Sequence, residues 1–423
     1  MKLYIALATI LLFTGCTRSD PATEKKADKV PAVALVPPIA TAPSWFRAVV
    51  TSADHVEAVF LLRVPAGKGT ATFKVGAHEV TTAATFEGGT LEIPMTVHQT
   101  SVEAKLQPDG SLTGAFVTTW RAFGASTLAL RATPIAAPTT AALTTVASEE
   151  AALDLGEVRT VWKLAMAESG EAKLALTQTA PGSFEGVVSL DTGNLIYVAG
   201  NGLGDAIVMT GFDGTSGYRL ELVLSKDRAN ATGSLVGGHR LDWREKLSAT
   251  RRADFALALK PRVTKPNGKL VLPDLPELAK LPKGPLLVEL AGSWCSTCRN
   301  AAPFIGQLDR EYRAKGLTIV TLLYEFTDDA KVDAKQAALF RETYNATWLV
   351  VPVQGTLEDF AEIVPAGLSD LNPAGFPISL FLAADRSVVA VHAGFPAPDS
   401  LTEFAAVSAE FRANVEKLLA LPH

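Results

Sequence analysis

The chain has 423 residues, room for about two to four domains, and its 48% hydrophobic and 20% charged content excludes a fibrous or wholly disordered chain. Lys+Arg 39 against Asp+Glu 44 leaves a net charge of -5 with no long basic block, which excludes the usual electrostatic footprint of a nucleic-acid binder. Three cysteines are too few for a disulfide-stapled scaffold, so each thiol needs its own account.

Met1-Lys2 is followed by the apolar run Leu3 to Phe13, too short to span a bilayer but the right length for a secretory leader. It ends in Phe13-Thr14-Gly15-Cys16, which resembles a bacterial lipobox. That resemblance implies a leader over residues 1–15 and a lipidated Cys16 as the first mature residue. Thr17 follows the cysteine where inner-membrane lipoproteins carry Asp, so in a diderm the outer membrane is favoured. Residues 16–43, rich in Ala, Pro, Lys and Asp, read as a flexible tether. The expected location is the periplasmic side of the cell envelope, lipid-anchored, where disulfides persist.

Over residues 44–134 short alternating segments such as Ala71-Thr-Phe-Lys-Val75 and Thr90-Leu-Glu-Ile93 recur between the turn signals Gly88-Gly89 and Pro108-Asp109-Gly110. This predicts an antiparallel β module. After a linker at 135–157 the same order of features returns over 158–253, with Trp162-Lys-Leu-Ala-Met matching Trp45-Phe-Arg-Ala-Val, a weak internal duplication. Around residue 254 the pattern changes. Gly284-Pro-Leu-Leu-Val-Glu-Leu-Ala291 reads as a buried parallel strand. A helix from Cys295 to Lys315 should follow, then a strand Leu317 to Leu323, a helix over about 329–343 and a short strand Trp348 to Val351. Strands Ile378 to Ala383 and Ser387 to His392 and a helix Leu401 to Leu419 complete an α/β pattern over 262–421, expected to form three layers.

Trp294-Cys295-Ser296-Thr297-Cys298 sits where the buried strand hands over to the helix. A cysteine in the first helical turn is favoured as thiolate by the helix dipole and unpaired N–H groups, so Cys295 is the expected nucleophile. Cys298, about one turn on, is placed to resolve a mixed disulfide on Cys295. A CxxC can also be half a zinc site, but the remaining cysteine is Cys16 and the six histidines show no paired ligand spacing, so neither metal nor cofactor is expected.

The strand, the Trp-Cys-x-x-Cys, Pro303 inside the helix and Phe376-Pro377 opening a hairpin together resemble the thioredoxin fold, in particular the TlpA/ResA-like redoxin branch of membrane-anchored proteins, over about residues 262–421. The resemblance implies that Pro377 is a cis-proline facing the dithiol, with Trp294, Phe376 and Pro377 contacting substrate. It also implies that Glu289, six residues before Cys295, is a buried acid exchanging a proton with Cys298. The β modules resemble, more loosely, those preceding TlpA-like domains in large envelope proteins, with Trp120 and Trp243 expected in core or edge positions.

The resulting expectation is a multidomain α+β protein: two N-terminal antiparallel β modules and then a C-terminal thioredoxin-like α/β/α domain. Its expected activity is thiol–disulfide oxidoreduction, as a reductase of protein disulfides fed by a membrane electron donor. A surface binding lipoprotein that recognises its partner through the β modules, and a thiol peroxidase, are the rival readings.

Overall fold

Alternation decides the structure of the first two thirds of the chain. In strand Ser126–Ile135, Leu128, Leu130 and Ala132 are buried while Thr127, Ala129 and Arg131 face out, and strand Trp243–Arg251 repeats this with Glu245, Leu247 and Ala249 inside. A period of two buries one face of a sheet and wets the other. The computed structural model describes residues 44–143, 151–258, 262–263, 269–366, 368–369 and 375–421. The expected leader, Cys16 and the expected tether lie outside them.

The described residues form two closed antiparallel barrels of eight strands each, with neighbours paired in sequence order. The first barrel closes when its opening strand Ser44–Thr51 pairs with Ser126–Ile135, Trp45 opposite Ile135 and Thr51 opposite Ala129. The second closes through Arg159–Met166 and Trp243–Arg251, with Met166 opposite Leu247. Closure leaves no edge strand with unpaired backbone groups. Gly88, Gly89 and Gly110, the turn signals, have φ of +57°, +76° and +80°, which a residue with a Cβ adopts only under strain.

Residues of the second barrel, among them Phe212, complete the core of the first. Strand Glu57–Val64 is buried on both faces, because Val59 and Leu61, outside the first barrel, lie under the second. Thr210 of the second barrel donates its hydroxyl to the Val59 carbonyl at 2.8 Å. Phe212 stacks on the inward-facing Phe60 at 4.3 Å between ring centres and meets Phe116 edge-on at 5.0 Å. The second barrel's own core holds Trp162, whose indole N–H donates to the Thr160 hydroxyl at 2.9 Å. Trp45 and Trp162 do not occupy matching faces: Trp162 is wholly buried, whereas Trp45 is half-buried beside the inward Phe46. A shift of one residue in a strand moves a side chain to the other face.

The expected fold class is corrected by this architecture. The chain is mostly β, and the two closed barrels are followed by a small α/β region, not by a self-contained α/β/α domain. The reason lies in the packing: the core of the C-terminal region includes Val97 of the first barrel, with Ala122 and Phe123 packed against it. Local strand–helix alternation carries no sign of a core completed by residues so distant in sequence.

The C-terminal region holds a five-stranded mixed sheet in the order Leu349–Val353, Thr318–Tyr324, Leu286–Ala291, Ile378–Leu382, Val388–Ala393. The first three strands run parallel and the last two join antiparallel. Every residue of the central strand Leu286–Ala291 is buried, the acid Glu289 along with its five apolar residues. Its three long helices are Ser296–Tyr312, Ala330–Thr343 and Leu401–Leu419, beside the one-turn helices Pro276–Ala279 and Phe360–Ile363. Helix Ala330–Thr343 is capped by the Asp329 carboxylate, which accepts from the N–H groups of Lys331 and Val332.

Candidate active site

The central strand runs through Gly292-Ser293-Trp294 into Cys295, the N-cap of helix Ser296–Tyr312. Cys295 and Cys298 form a disulfide with their Cα atoms 5.3 Å apart. The Cys295 sulfur also accepts the Cys298 N–H at 3.1 Å, so a helix-end donor that is otherwise unpaired points at the sulfur. The Phe376–Pro377 peptide bond is cis, and the Phe376 carbonyl oxygen lies 3.3 Å from the Cys295 sulfur, where it would accept from a reduced thiol. Both cysteines are buried: Cys295 is 6% exposed and Cys298 2%.

Glu289 faces Ser379 across the antiparallel pair in the central sheet, and the Ser379 hydroxyl donates to its Oε2 at 2.6 Å. Its Oε1 is buried without a hydrogen-bond partner. Burial pushes the carboxyl up to about 7, against a weaker opposing pull from Ser379. Trp294 donates its indole N–H to the Tyr324 carbonyl at 2.8 Å. Its ring lies 5.9 Å from Phe376, nearly parallel, and 4.6 Å from Phe123 of the first barrel.

Several residues with no sequence signal complete the site. Glu325, at the end of the neighbouring strand, accepts the Ser293 N–H at 2.9 Å, the Ser293 hydroxyl at 2.8 Å and the Gln99 side-chain amide at 2.9 Å. Burial outweighs these bonds and pushes its carboxyl up to about 7. His98 meets the Ser293 carbonyl through Nδ1 at 2.7 Å. Burial, helped by the charge of Arg299, pulls His98 down to about 3, so the ring is neutral and Nδ1 carries the donated proton. Trp120 donates to the His98 carbonyl at 2.6 Å, which places it in a buried structural role. From the second barrel, Asn194 Oδ1 accepts the Thr297 hydroxyl at 3.1 Å, between the two cysteines in sequence. His98, Gln99 and Asn194 lie in turns between barrel strands, where no periodic pattern or spacing marks a residue. Trp243 is half-buried and packs against the core of the second barrel.

Cys16 lies outside the described residues. Among those described, no group of three or more His, Cys, Asp and Glu side chains could hold a metal, and no helix is long and apolar enough to cross a membrane.

No family model and no curated protein matches the chain. Solved structures match it over about a third of its length. A thiol:disulfide interchange protein of the thioredoxin family from Chlorobium tepidum is 20% identical, covering 34% of this chain and 84% of its own, with a TM-score of 0.24. The thioredoxin domain of a thiol-disulfide oxidoreductase from Bacteroides vulgatus is 17% identical over 35% of this chain and 97% of its own, with a TM-score of 0.25. A secreted disulfide oxidoreductase from Mycobacterium tuberculosis is 20% identical over 30% of this chain and 85% of its own, with a TM-score of 0.21.

Proposed function

We propose that the chain is an envelope-anchored thiol–disulfide oxidoreductase that runs as a reductase of protein disulfides. The observation that carries this reading is the Cys295–Cys298 disulfide at a helix N-terminus, with the carbonyl of the cis Phe376–Pro377 unit 3.3 Å from the Cys295 sulfur. In the reduced protein, the Cys295 thiolate attacks one sulfur of a substrate disulfide, forming a mixed disulfide and expelling the other sulfur as a thiolate that takes up a proton. Cys298 then gives its proton to Glu289 and attacks the Cys295 sulfur. This releases the second substrate thiolate and forms the Cys295–Cys298 disulfide, so two electrons pass from the dithiol to the substrate. A carboxyl held at about 7 is near the pH at which it both accepts and returns a proton readily. The cycle closes when an external dithiol, supplied through a membrane electron donor, reduces the pair again. Trp294 and the buried Phe376 and Pro377 would contact the substrate beside the cysteines once the cover over them is displaced. Lipidation at Cys16 and the tether over residues 16–43 would hold the enzyme at the periplasmic side of the envelope, on the outer membrane in a diderm.

Replacing the resolving thiol tests the assignment. Cys298→Ser should accumulate mixed disulfides with substrate on non-reducing gels after acid quenching, whereas Cys295→Ser should form none. Adducts on Cys295→Ser equal to those on Cys298→Ser would reverse or remove these roles.

A further inference from the structure

The dithiol is roofed by the barrels. In the second barrel, strands Ser183–Leu190 and Leu195–Leu203 are joined by the turn 191–194. A Cβ on Gly193, at φ +87°, would collide with the Ala393 carbonyl, and one on Gly394 would collide with the Gly193 carbonyl. A Cβ on Gly375, beside the cis bond, would fall 2.7 Å from the Thr192 carbonyl oxygen. The turn thus lies backbone against backbone along the segment that flanks Pro377, and Asn194 ties it to Thr297 at 3.1 Å. The first barrel supplies the other side of the roof. Phe123 packs on Trp294, and its carbonyl accepts from Arg240 of the second barrel at 2.6 Å.

Two observations bear on access to the covered sulfurs. A cavity of about 810 Å³ runs between the second barrel and the dithiol helix, reaching Ser296 and Thr297, with Phe123, Asp191 and Asn194 among its walls. That volume is typical of a small-molecule pocket, about 300–1,000 Å³, and far below what a folded domain needs. In addition, the Thr192 hydroxyl is buried in the docked turn without a hydrogen-bond partner. An unsatisfied buried polar group weakens the closed arrangement, and water satisfies it when the turn lifts.

We propose that the turn 191–194 of the second barrel is the specificity-determining element of the dithiol: it admits an extended, unfolded cysteine-bearing polypeptide segment through the cavity and turns away disulfides presented on folded surfaces. This rests on the oxidoreductase reading above and gives the second barrel a function. A thin segment enters through the cavity and passes Thr297 once the Asn194 hydrogen bond is released. A folded surface meets the rim formed by Phe123 and the turn before its sulfur can come into line with Cys295.

The test uses the full chain, reduced with dithiothreitol and freed of it, in single-turnover oxidation by a linear peptide disulfide and by a folded protein with a surface disulfide. The wild type should be oxidised about tenfold or more faster by the peptide, because access limits the exchange. Asn194→Ala should cut that peptide-to-protein ratio severalfold, about what one hydrogen bond is worth. Thr192→Val, which removes the unsatisfied hydroxyl and strengthens docking, should raise the ratio. A wild-type ratio near one, or a ratio unmoved in folded Asn194→Ala, overturns the inference and leaves the oxidoreductase reading standing. A wild type with two titratable thiols that neither substrate oxidises overturns both.

Discussion

The two barrels have the same strand order but hold the dithiol region by different means. The first barrel reaches it with polar side chains: the buried His98 and the half-buried Gln99 bond Ser293 and Glu325, immediately before Trp294 and Cys295 in the case of Ser293. The second reaches it with the close backbone approach of a turn and a side-chain hydrogen bond from Thr297 to Asn194. Buried polar bonds are costly to break because each leaves a desolvated group behind, whereas a docked turn can part and be rehydrated. The first barrel therefore fixes the loop that carries the cysteines, and the second covers it in a way that can be undone.

The largest expected effect of a single substitution tests the fixed side. His98→Ala removes a buried ring and the donor to the Ser293 carbonyl, and should cost about 4 kcal/mol, read as a lower urea midpoint. A loss under about 1 kcal/mol would mean that the first barrel does not anchor the loop.

Next comes the pH dependence of the two buried acids. Glu289 and Glu325 are both raised from 4.5 to about 7, so the folded chain holds protons that the unfolded chain releases within that window. Stability should be greatest below about pH 4.5 as far as these groups are concerned, and should fall as pH rises towards 7, by about 3 kcal/mol per carboxyl. Urea midpoints between pH 5 and 8 should show the slope, and Glu325→Gln should remove about half of it. Glu289→Gln is the companion that touches neither barrel. An unchanged slope in both variants would place these protons elsewhere.

The smallest expected effect tests the covering side. Asn194→Ala should lower overall stability by about 1 kcal/mol or less, since it removes a hydrogen bond at a contact that can rehydrate. A loss as large as that of His98→Ala would erase the distinction between the barrels.

What the sequence could disclose follows the range of each signal. The central strand was readable because burial on both faces forces an apolar run, Leu286 to Ala291, broken only by Glu289. The cysteine pair was readable because its spacing is itself the chemistry. Barrel closure was not, since the alternation of Ser126–Ile135 is the same in an open sheet, and only the pairing of Trp45 with Ile135 makes the ring. The roof of the site was invisible for the same reason: Gln99 and Glu325 are 226 residues apart, and no local pattern joins them. The three-layer expectation failed there too, because Val97 completes a core that the C-terminal pattern alone does not close.

The ring of Phe212 against Phe60 bears on how the protein is made. When a ribosome has finished Ile135, every strand of the first barrel exists, yet the aromatic group that fills its end has not been synthesised. The nascent barrel must wait with Phe60 and Phe116 open to water until the fifth strand of its neighbour emerges. During that interval it presents the exposed apolar surface that holding chaperones bind, and a chain cut between the barrels should stay sticky rather than soluble.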